Sequence, residues 1–380
     1  MRTAELTNVS RERALLVQVV IGRAGREVAG DSLEELERLA DTAGAVVVGT
    51  LSQNRPSPTP KYFIGEGKVE EIKLACQQAR ANLVIFDNDL SPMQVNNLDL
   101  ALGIKVIDRT EIILQIFVRR ARSAEAQIQV ELAQLQYLVG RLPVSEKQPR
   151  FTGGIGMKGP GESPLRLRNE PMRRRIRDLK DKLESIQMRR VRTRSRRPWA
   201  AVSLVGYTNA GKSTLLNALS GTDAYVDDRL FATLDTKSRL VHVPDGRDIL
   251  LTDTVGFIRH LPHGLIASFR STLEEVGEAD LLLHVADAGH PYVSEHCEVV
   301  FDTLAEIGAD TVPSLLVFNK CDTPAARDQL PVLLGYHPEA IAVSALEHQG
   351  LEVLKQRMAG LVAGHDRRNT DGTRRVAEED

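Results

Sequence analysis

Cysteine is scarce in this 380-residue chain: Cys76, Cys297 and Cys321 lie far apart, and no two have the spacing of a metal knuckle or a redox CxxC. They read as structural thiols. No apolar run approaches the ~18 residues that a membrane-spanning helix needs. Residues 1–13 also lack the apolar core of a secretory signal, so a cytoplasmic protein is expected. Aromatic residues make up only 4% of the chain against 42% hydrophobic residues, and 49 Lys and Arg balance 51 Asp and Glu to a formal charge of −2. That composition describes a globular chain and leaves out the disordered, collagenous and membrane classes. At roughly 100–200 residues per domain the length predicts two or three domains.

The near-neutral total hides a segregation of charge. Between Arg166 and Arg197, 14 Lys and Arg stand against 4 Asp and Glu, a local net of +10, which leaves the remainder of the chain at −12. Such a stretch attracts phosphate at long range and in a salt-sensitive way, so it points to a polyanion partner without saying which one.

Three patterns follow one another along the chain. Over 13–109, apolar runs at 15–20, 46–49, 83–87 and 105–107 alternate with helical patterns at 32–43, 68–81 and 91–102, the rhythm of an α/β unit with a parallel sheet. Asp31-Ser32 with Glu34 and Glu35, and Ser91 before Pro92, mark two helix starts. Next, Ile128, Leu132, Leu135 and Leu138 form one helical seam, and Ile176, Leu179, Leu183 and Ile186 a second. The two predict an antiparallel helical hairpin whose tip, 141–172, is rich in glycine. Pro164 and Pro171 are expected to delay the second helix. Beyond Trp199 the strand and helix alternation returns. The expected class is α/β throughout: an N-terminal domain over 10–110, the hairpin over 111–198, a C-terminal domain over 199–363 and a flexible tail over 364–380.

Gly206-Tyr207-Thr208-Asn209-Ala210-Gly211-Lys212-Ser213 fits GxxxxGK[ST] between a strand-like run and the helical start at Thr214. Its glycines let backbone N–H groups turn toward a β-phosphate, Lys212 adds charge at the β- and γ-phosphates, and the Ser213 hydroxyl can bind Mg²⁺. Asp253-Thr254-Val255-Gly256 closes a second strand, with the carboxylate holding magnesium through water and the Gly256 N–H meeting the γ-phosphate. Asn319-Lys320-Cys321-Asp322 closes a third, where an aspartate can accept from N1–H and the 2-amino group of guanine. Adenine offers neither donor, so GTP is favoured over ATP. Ser344-Ala345 supplies a backbone N–H for the guanine carbonyl. A P-loop GTPase domain of the Ras-like kind, on a mixed six-stranded sheet, is the expected fold.

Phe231-Ala232-Thr233-Leu234-Asp235 lies where a switch loop belongs, and Thr233, ahead of Thr236, is the expected hydroxyl of the magnesium shell. Magnesium would thus be held by Ser213, Thr233 and, through water, Asp253. Phe257 follows Gly256 where many GTPases place a water-orienting glutamine, so slow intrinsic hydrolysis accelerated by a partner is expected. Asn209 resembles the asparagine that helps position K⁺ in some GTPases. Thr233 and Asn209 are the candidates for a part in catalysis. Outside this site no cysteine–histidine or paired-carboxylate constellation suggests a metabolic enzyme.

With Tyr62-Phe63-Ile64-Gly65-Glu66-Gly67-Lys68, Asp108-Arg109-Thr110, Gln129-Val130-Glu131-Leu132-Ala133-Gln134-Leu135 and Gly159-Pro160-Gly161-Glu162 in the same order, the chain closely resembles the HflX family over about 12–362. The resemblance implies a ribosome-associated GTPase that binds the large subunit and splits stalled or idle ribosomes under stress, partly ribosome-associated in the cytoplasm. The hairpin tip would reach toward the peptidyl transferase centre. Gly153, Gly154, Gly156, Lys158, Gly159, Gly161, Arg173, Arg174 and Arg175 are then candidates to contact ribosomal RNA. The free protein is expected to be a monomer. A GTPase assembly factor or RNA-binding module for the large subunit, without splitting activity, is the alternative.

Overall fold

The computed structural model describes residues 12–22, 28–141, 164–194, 198–222, 229–259 and 276–362, without side chains at 164–169 and 189–194. The chain forms two compact units, Met1–Arg119 with Ala124–Ile186, and Arg120–Ser123 with Gln187–Asp380. The glycine-rich tip before residue 164 and the expected tail at 364–380 lie outside the described residues.

The first unit is built on a parallel sheet of order β2-β1-β3-β4, formed by β1 (Arg13–Ile21), β2 (Val46–Arg55), β3 (Leu83–Phe86) and β4 (Lys105–Asp108). β3 is a continuous apolar run, and β1 is one apart from Arg13 and Gln18, because helices cover both faces of a parallel sheet and no alternation with polar residues is needed. Helices α1 (Ala29–Thr42), α2 (Glu66–Ala79) and α3 (Pro92–Leu102) fill the connections. Leu15, Val17, Val84 and Phe86 pack with Ile64, Val69, Ile72 and Leu98 in one cluster. Helix α3 starts as expected, with Ser91 and Gln94 in a reciprocal capping box and Pro92 at the first helical position. Helix α1 starts earlier than Asp31-Ser32, because the Ser32 hydroxyl is engaged elsewhere, donating to Asp87 Oδ2 at 2.6 Å.

Charge is buried at the carboxyl ends of these strands. Arg109 opens α4 (Arg109–Arg120) and pairs with Glu35 and, at 2.7 Å, with Asp87, which also accepts from Gln18 at 3.2 Å. Asp108 accepts from the Leu90 N–H at 3.2 Å, the Glu111 N–H at 3.0 Å and the Tyr137 hydroxyl at 2.9 Å, and pairs with Arg141. Tyr137 and Arg141 belong to α5 (Ala124–Arg141), so this carboxylate fastens the hairpin's first helix to the sheet.

The seams expected from sequence meet. Leu132 of α5 packs with Leu179 and Leu183 of α6 (Pro164–Arg194), flanked by Ile128, Leu135 and Ile176. Helix α6 begins at Pro164 and continues through Pro171, which corrects the expected delay. A proline at the first helical position lacks only an N–H that would have no helical partner, and Pro171 further in removes one hydrogen bond that 31 residues of helix absorb.

The second unit carries a mixed six-stranded sheet of order β10-β9-β8-β5-β7-β6. Its strands are β5 (Ala200–Gly206), β6 (Lys237–His242), β7 (Asp248–Asp253), β8 (Leu281–Asp287), β9 (Ser314–Asn319) and β10 (Ile341–Ala342), with β6 antiparallel at one edge. Among the described residues, helices α7 (Lys212–Ser220), α8 (Val293–Glu306) and α9 (Pro324–Tyr336), and a last helix over 351–362, accompany it. Val202, Leu204, Leu251, Leu283 and Val317 from four adjacent strands form its core with Leu215, Leu219, Leu354 and Met358. The carboxyl ends of β5 and β7 therefore sit side by side, with that of β9 one strand further along beyond β8, all on rigid strands.

Candidate functional site

The turn from β5 to α7 uses backbone conformations that few side chains permit. Gly206 has φ +154° and Gly211 φ +90°, and a Cβ at either would collide, with the Val285 carbonyl or with the Asn319 amide. Asn209, at φ +62°, is of a residue type that visits this region more readily than most. The Lys212 ammonium is buried and donates to the carbonyls of Gly206 at 3.0 Å and Tyr207 at 2.9 Å. Burial pushes its pKa down to about 8, with Lys320 adding to the effect and Asp253 opposing it.

Three oxygen side chains converge beside it. Asp253 Oδ2, at the end of β7, accepts from Ser213 Oγ at 2.6 Å and from Thr233 Oγ1 at 2.8 Å, and the two hydroxyls are 2.8 Å apart. Asp253 is fully buried, which raises its pKa against the pull of Lys212, and its Oδ1 has no hydrogen-bond partner among the described residues. Hard oxygen donors with one carboxylate oxygen unused fit Mg²⁺ chemistry.

The third strand end ties the loops together. Asn319 donates to the Ala210 carbonyl at 3.0 Å and accepts from the Ala345 N–H at 3.0 Å. Lys320, at φ +62°, pairs with Asp287 at 2.8 Å. The Ser344 hydroxyl donates to Asp322 at 2.5 Å, which orients that half-buried carboxylate. Cys321 donates its thiol to the Phe318 carbonyl at 3.2 Å.

Phe257 has a structural task. Its side chain is buried and its backbone pairs with the phosphate loop, through Thr208 N–H to Phe257 O at 2.7 Å and Phe257 N–H to Gly206 O at 3.0 Å. Gly256 before it has Lys212 Nζ and Thr208 Cα each 2.9 Å from where a Cβ would stand, so a side chain there would press on the phosphate loop. Tyr207 accepts from the Arg259 N–H at 3.0 Å and stacks on His296, with ring centroids 3.7 Å apart.

Comparison with known proteins gives the same reading of the whole chain. Residues 30–118 match the family model "GTP-binding GTPase N-terminal", 120–197 "GTP-binding GTPase Middle Region" and 201–320 "50S ribosome-binding GTPase". GTPase HflX of Caldanaerobacter subterraneus subsp. tengcongensis is 48% identical over 316 residues, 82% of this chain and 73% of that protein. GTPase HflX of Escherichia coli K12 is 43% identical over 349 residues, 88% of this chain and 81% of that one. The chain belongs to the HflX family. It is accordingly a GTPase that binds and hydrolyses GTP. Among solved structures, the crystal structure of SsGBP with GDP superposes with a TM-score of 0.51 at 26% identity, covering 93% of this chain and 99% of that one.

Within this HflX-family chain a cavity of about 110 Å³ is lined by the phosphate loop from Thr208 to Thr214 except buried Ala210, by Phe231, Ala232 and Thr233, and by Thr254, Gly256 and Lys320. Arg229 also lines it and was not among the residues expected there; the available signal was a basic residue two positions before Phe231. Leu234 and Val255 are instead buried in the protein interior. Asp235 turns its carboxylate to the backbone of Arg122 and Ser123. Of the RNA candidates, Arg173, Arg174 and Arg175 are exposed on α6, Arg175 in a two-pronged pair with Glu131 at 2.7 and 2.8 Å. Gly153, Gly154, Gly156, Lys158, Gly159 and Gly161 lie outside the described residues. Among the described residues no helix is long and apolar enough to cross a membrane.

Proposed function

We propose that this HflX-family GTPase is a GTP-controlled ribosome factor of the cytoplasm, monomeric when free. With GTP bound it docks on the large subunit, dissociates stalled or idle ribosomes under stress, and is released on hydrolysis. The observation that carries the reading is the convergence of Ser213, Thr233 and Asp253, which links a switch residue to the phosphate loop and to a strand end in one cluster. The match of 201–320 to a family described as a 50S ribosome-binding GTPase, and the exposed arginines of α6, support the ribosomal partner.

In this reading Gly206 to Thr214 cradle the phosphates, with Lys212 supplying charge at the β- and γ-phosphates. Asp322 accepts from guanine, and Asn319 and Ala345 hold the base-binding loops in register. Ser213, Thr233 and Asp253 would hold Mg²⁺, which when bound neutralises charge on the phosphate oxygens. Water attacks the γ-phosphorus and the bond to the bridging oxygen breaks, giving GDP and phosphate. Buried Phe257 cannot orient that water, so hydrolysis by the protein alone is slow and the ribosome accelerates it; Asn209 positions K⁺ as an additional charge.

Sucrose-gradient sedimentation of intact ribosomes mixed with the full chain tests this, comparing a non-hydrolysable GTP analogue, GDP and no nucleotide. Comigration with large subunits and a decline of intact ribosomes with the analogue alone is the expected result. Binding without dissociation would move the protein to the subunit-assembly class, and no comigration in any state would remove the ribosomal reading.

A further inference from the structure

Asp235 stands two residues after Thr233, and its hydrogen bonds lead away from the nucleotide cavity. Its Oδ2 accepts from the Arg122 N–H at 3.0 Å and the Ser123 N–H at 3.2 Å, and its Oδ1 accepts from the Ser123 hydroxyl. Arg122 and Ser123 belong to the joint, residues 120–123, through which the chain passes from α4 to α5. The N–H groups at the start of a helix have no helical partner and need an outside acceptor. For the joint ahead of α5 that acceptor is a carboxylate more than 100 residues further along the chain, and bonds to a charged acceptor are the strong kind.

The segment between the two contacts is anchored by burial and hydrogen bonds. Phe231 and Leu234 are buried, at 2% and 3% exposure, and Thr233 between them is bonded to Ser213 and Asp253. A displacement of Thr233 is therefore transmitted through one buried leucine to Asp235. We propose that Asp235 is a positioning residue that couples the nucleotide pocket to the joint, rather than a nucleotide ligand. Seating of Thr233 by GTP tightens the hold on Arg122 and Ser123, and its withdrawal after hydrolysis frees the backbone where the hairpin's first helix begins. This rests on the reading of Thr233 as the switch hydroxyl.

Hydrogen–deuterium exchange on the full chain, with a non-hydrolysable GTP analogue or GDP and Mg²⁺ present, tests both steps. The amides of Arg122 and Ser123 should exchange at least about fivefold more slowly with the analogue, the lower end of ordinary coupling between sites. In Asp235→Asn that difference should vanish, and because coupling is reciprocal the preference for the analogue over GDP, read with fluorescent nucleotides, should fall by a similar factor. Ser123→Ala, which keeps both backbone donors and cannot disturb the cavity directly, should retain a reduced difference. If protection changes at 231–234 but not at 122–123, the coupling is overturned. If neither segment responds, the switch reading fails and the coupling with it. Equal loss of protection in both nucleotide states of Asp235→Asn, with the affinity ratio unmoved, would reduce Asp235 to a structural cap and sink the proposal.

Discussion

Asp108 ends β4 in the first unit and Asp253 ends β7 in the second, and both are fully buried, yet their surroundings differ in kind. Asp108 takes two backbone donors, a tyrosine hydroxyl and a guanidinium. Asp253 takes two hydroxyls on one oxygen and, among the described residues, nothing on the other. Burial pushes both carboxyls up, opposed chiefly by Arg141 in one case and Lys212 in the other. A buried carboxylate closed by a cation and several donors is a fastener, whereas one whose second oxygen lacks a donor is arranged for something that arrives later.

If that distinction holds, asparagine should separate the two positions. In Asp253→Asn, GTP turnover should fall by about 10³-fold, on the scale of losing a charge-stabilising group at a reaction centre, while the melting temperature stays level or rises because a desolvated charge is gone; phosphate release and calorimetry read the two effects. Asp108→Asn should do the reverse. Leaving Arg141 without its counter-charge should cost about 3–5 kcal/mol in denaturant titration, with turnover per folded molecule unchanged. Comparable loss of both properties in both variants would erase the comparison.

Lys212 sharpens it further. Its pKa is depressed from 10.5 to about 8, so the stability it contributes is full above 10.5 and is lost as pH falls through about 8. Phosphate needs the charged form, so GTP affinity should move the other way, falling about fivefold between pH 8 and pH 9 as a proton must be taken up on binding. Calorimetry in buffers of different ionisation enthalpy would detect that proton, and affinity constant across this range would discredit the role of burial. The smallest effect is expected at Asn209. Asn209→Gly preserves a backbone at positive φ while removing the amide, so any advantage of KCl over NaCl in the rate should disappear while nucleotide affinity changes little.

How much could be read in advance depended on sequence distance. The phosphate loop is contiguous, and its glycines are demanded by local backbone conformation, so its residues were legible as a unit. Strands β1 and β3 were legible because short, almost wholly apolar runs are what a parallel sheet covered on both faces requires. The hairpin seam was legible from helical period alone, and Leu132, Leu179 and Leu183 do meet. What escaped notice joins positions far apart, such as Arg141 to Asp108 and Asp235 to Ser123, because nothing local marks which of many carboxylates a given donor will find. The start of α1 was misplaced for the same reason, its apparent cap serving a strand end 55 residues away.

Among the described residues the hairpin seam is narrow, three buried leucines with a few half-buried neighbours. So small an apolar contact contributes little against the entropy of ordering a long helix, so α6 is expected to part from α5 more readily than α5 leaves the sheet to which Asp108 fastens it. Proteases cut chains where they open, so the time a copy survives in the cell would depend on what covers those helices. A copy held by a partner would be shielded, and an unengaged copy would be trimmed first, which would tie the abundance of the protein to demand for it.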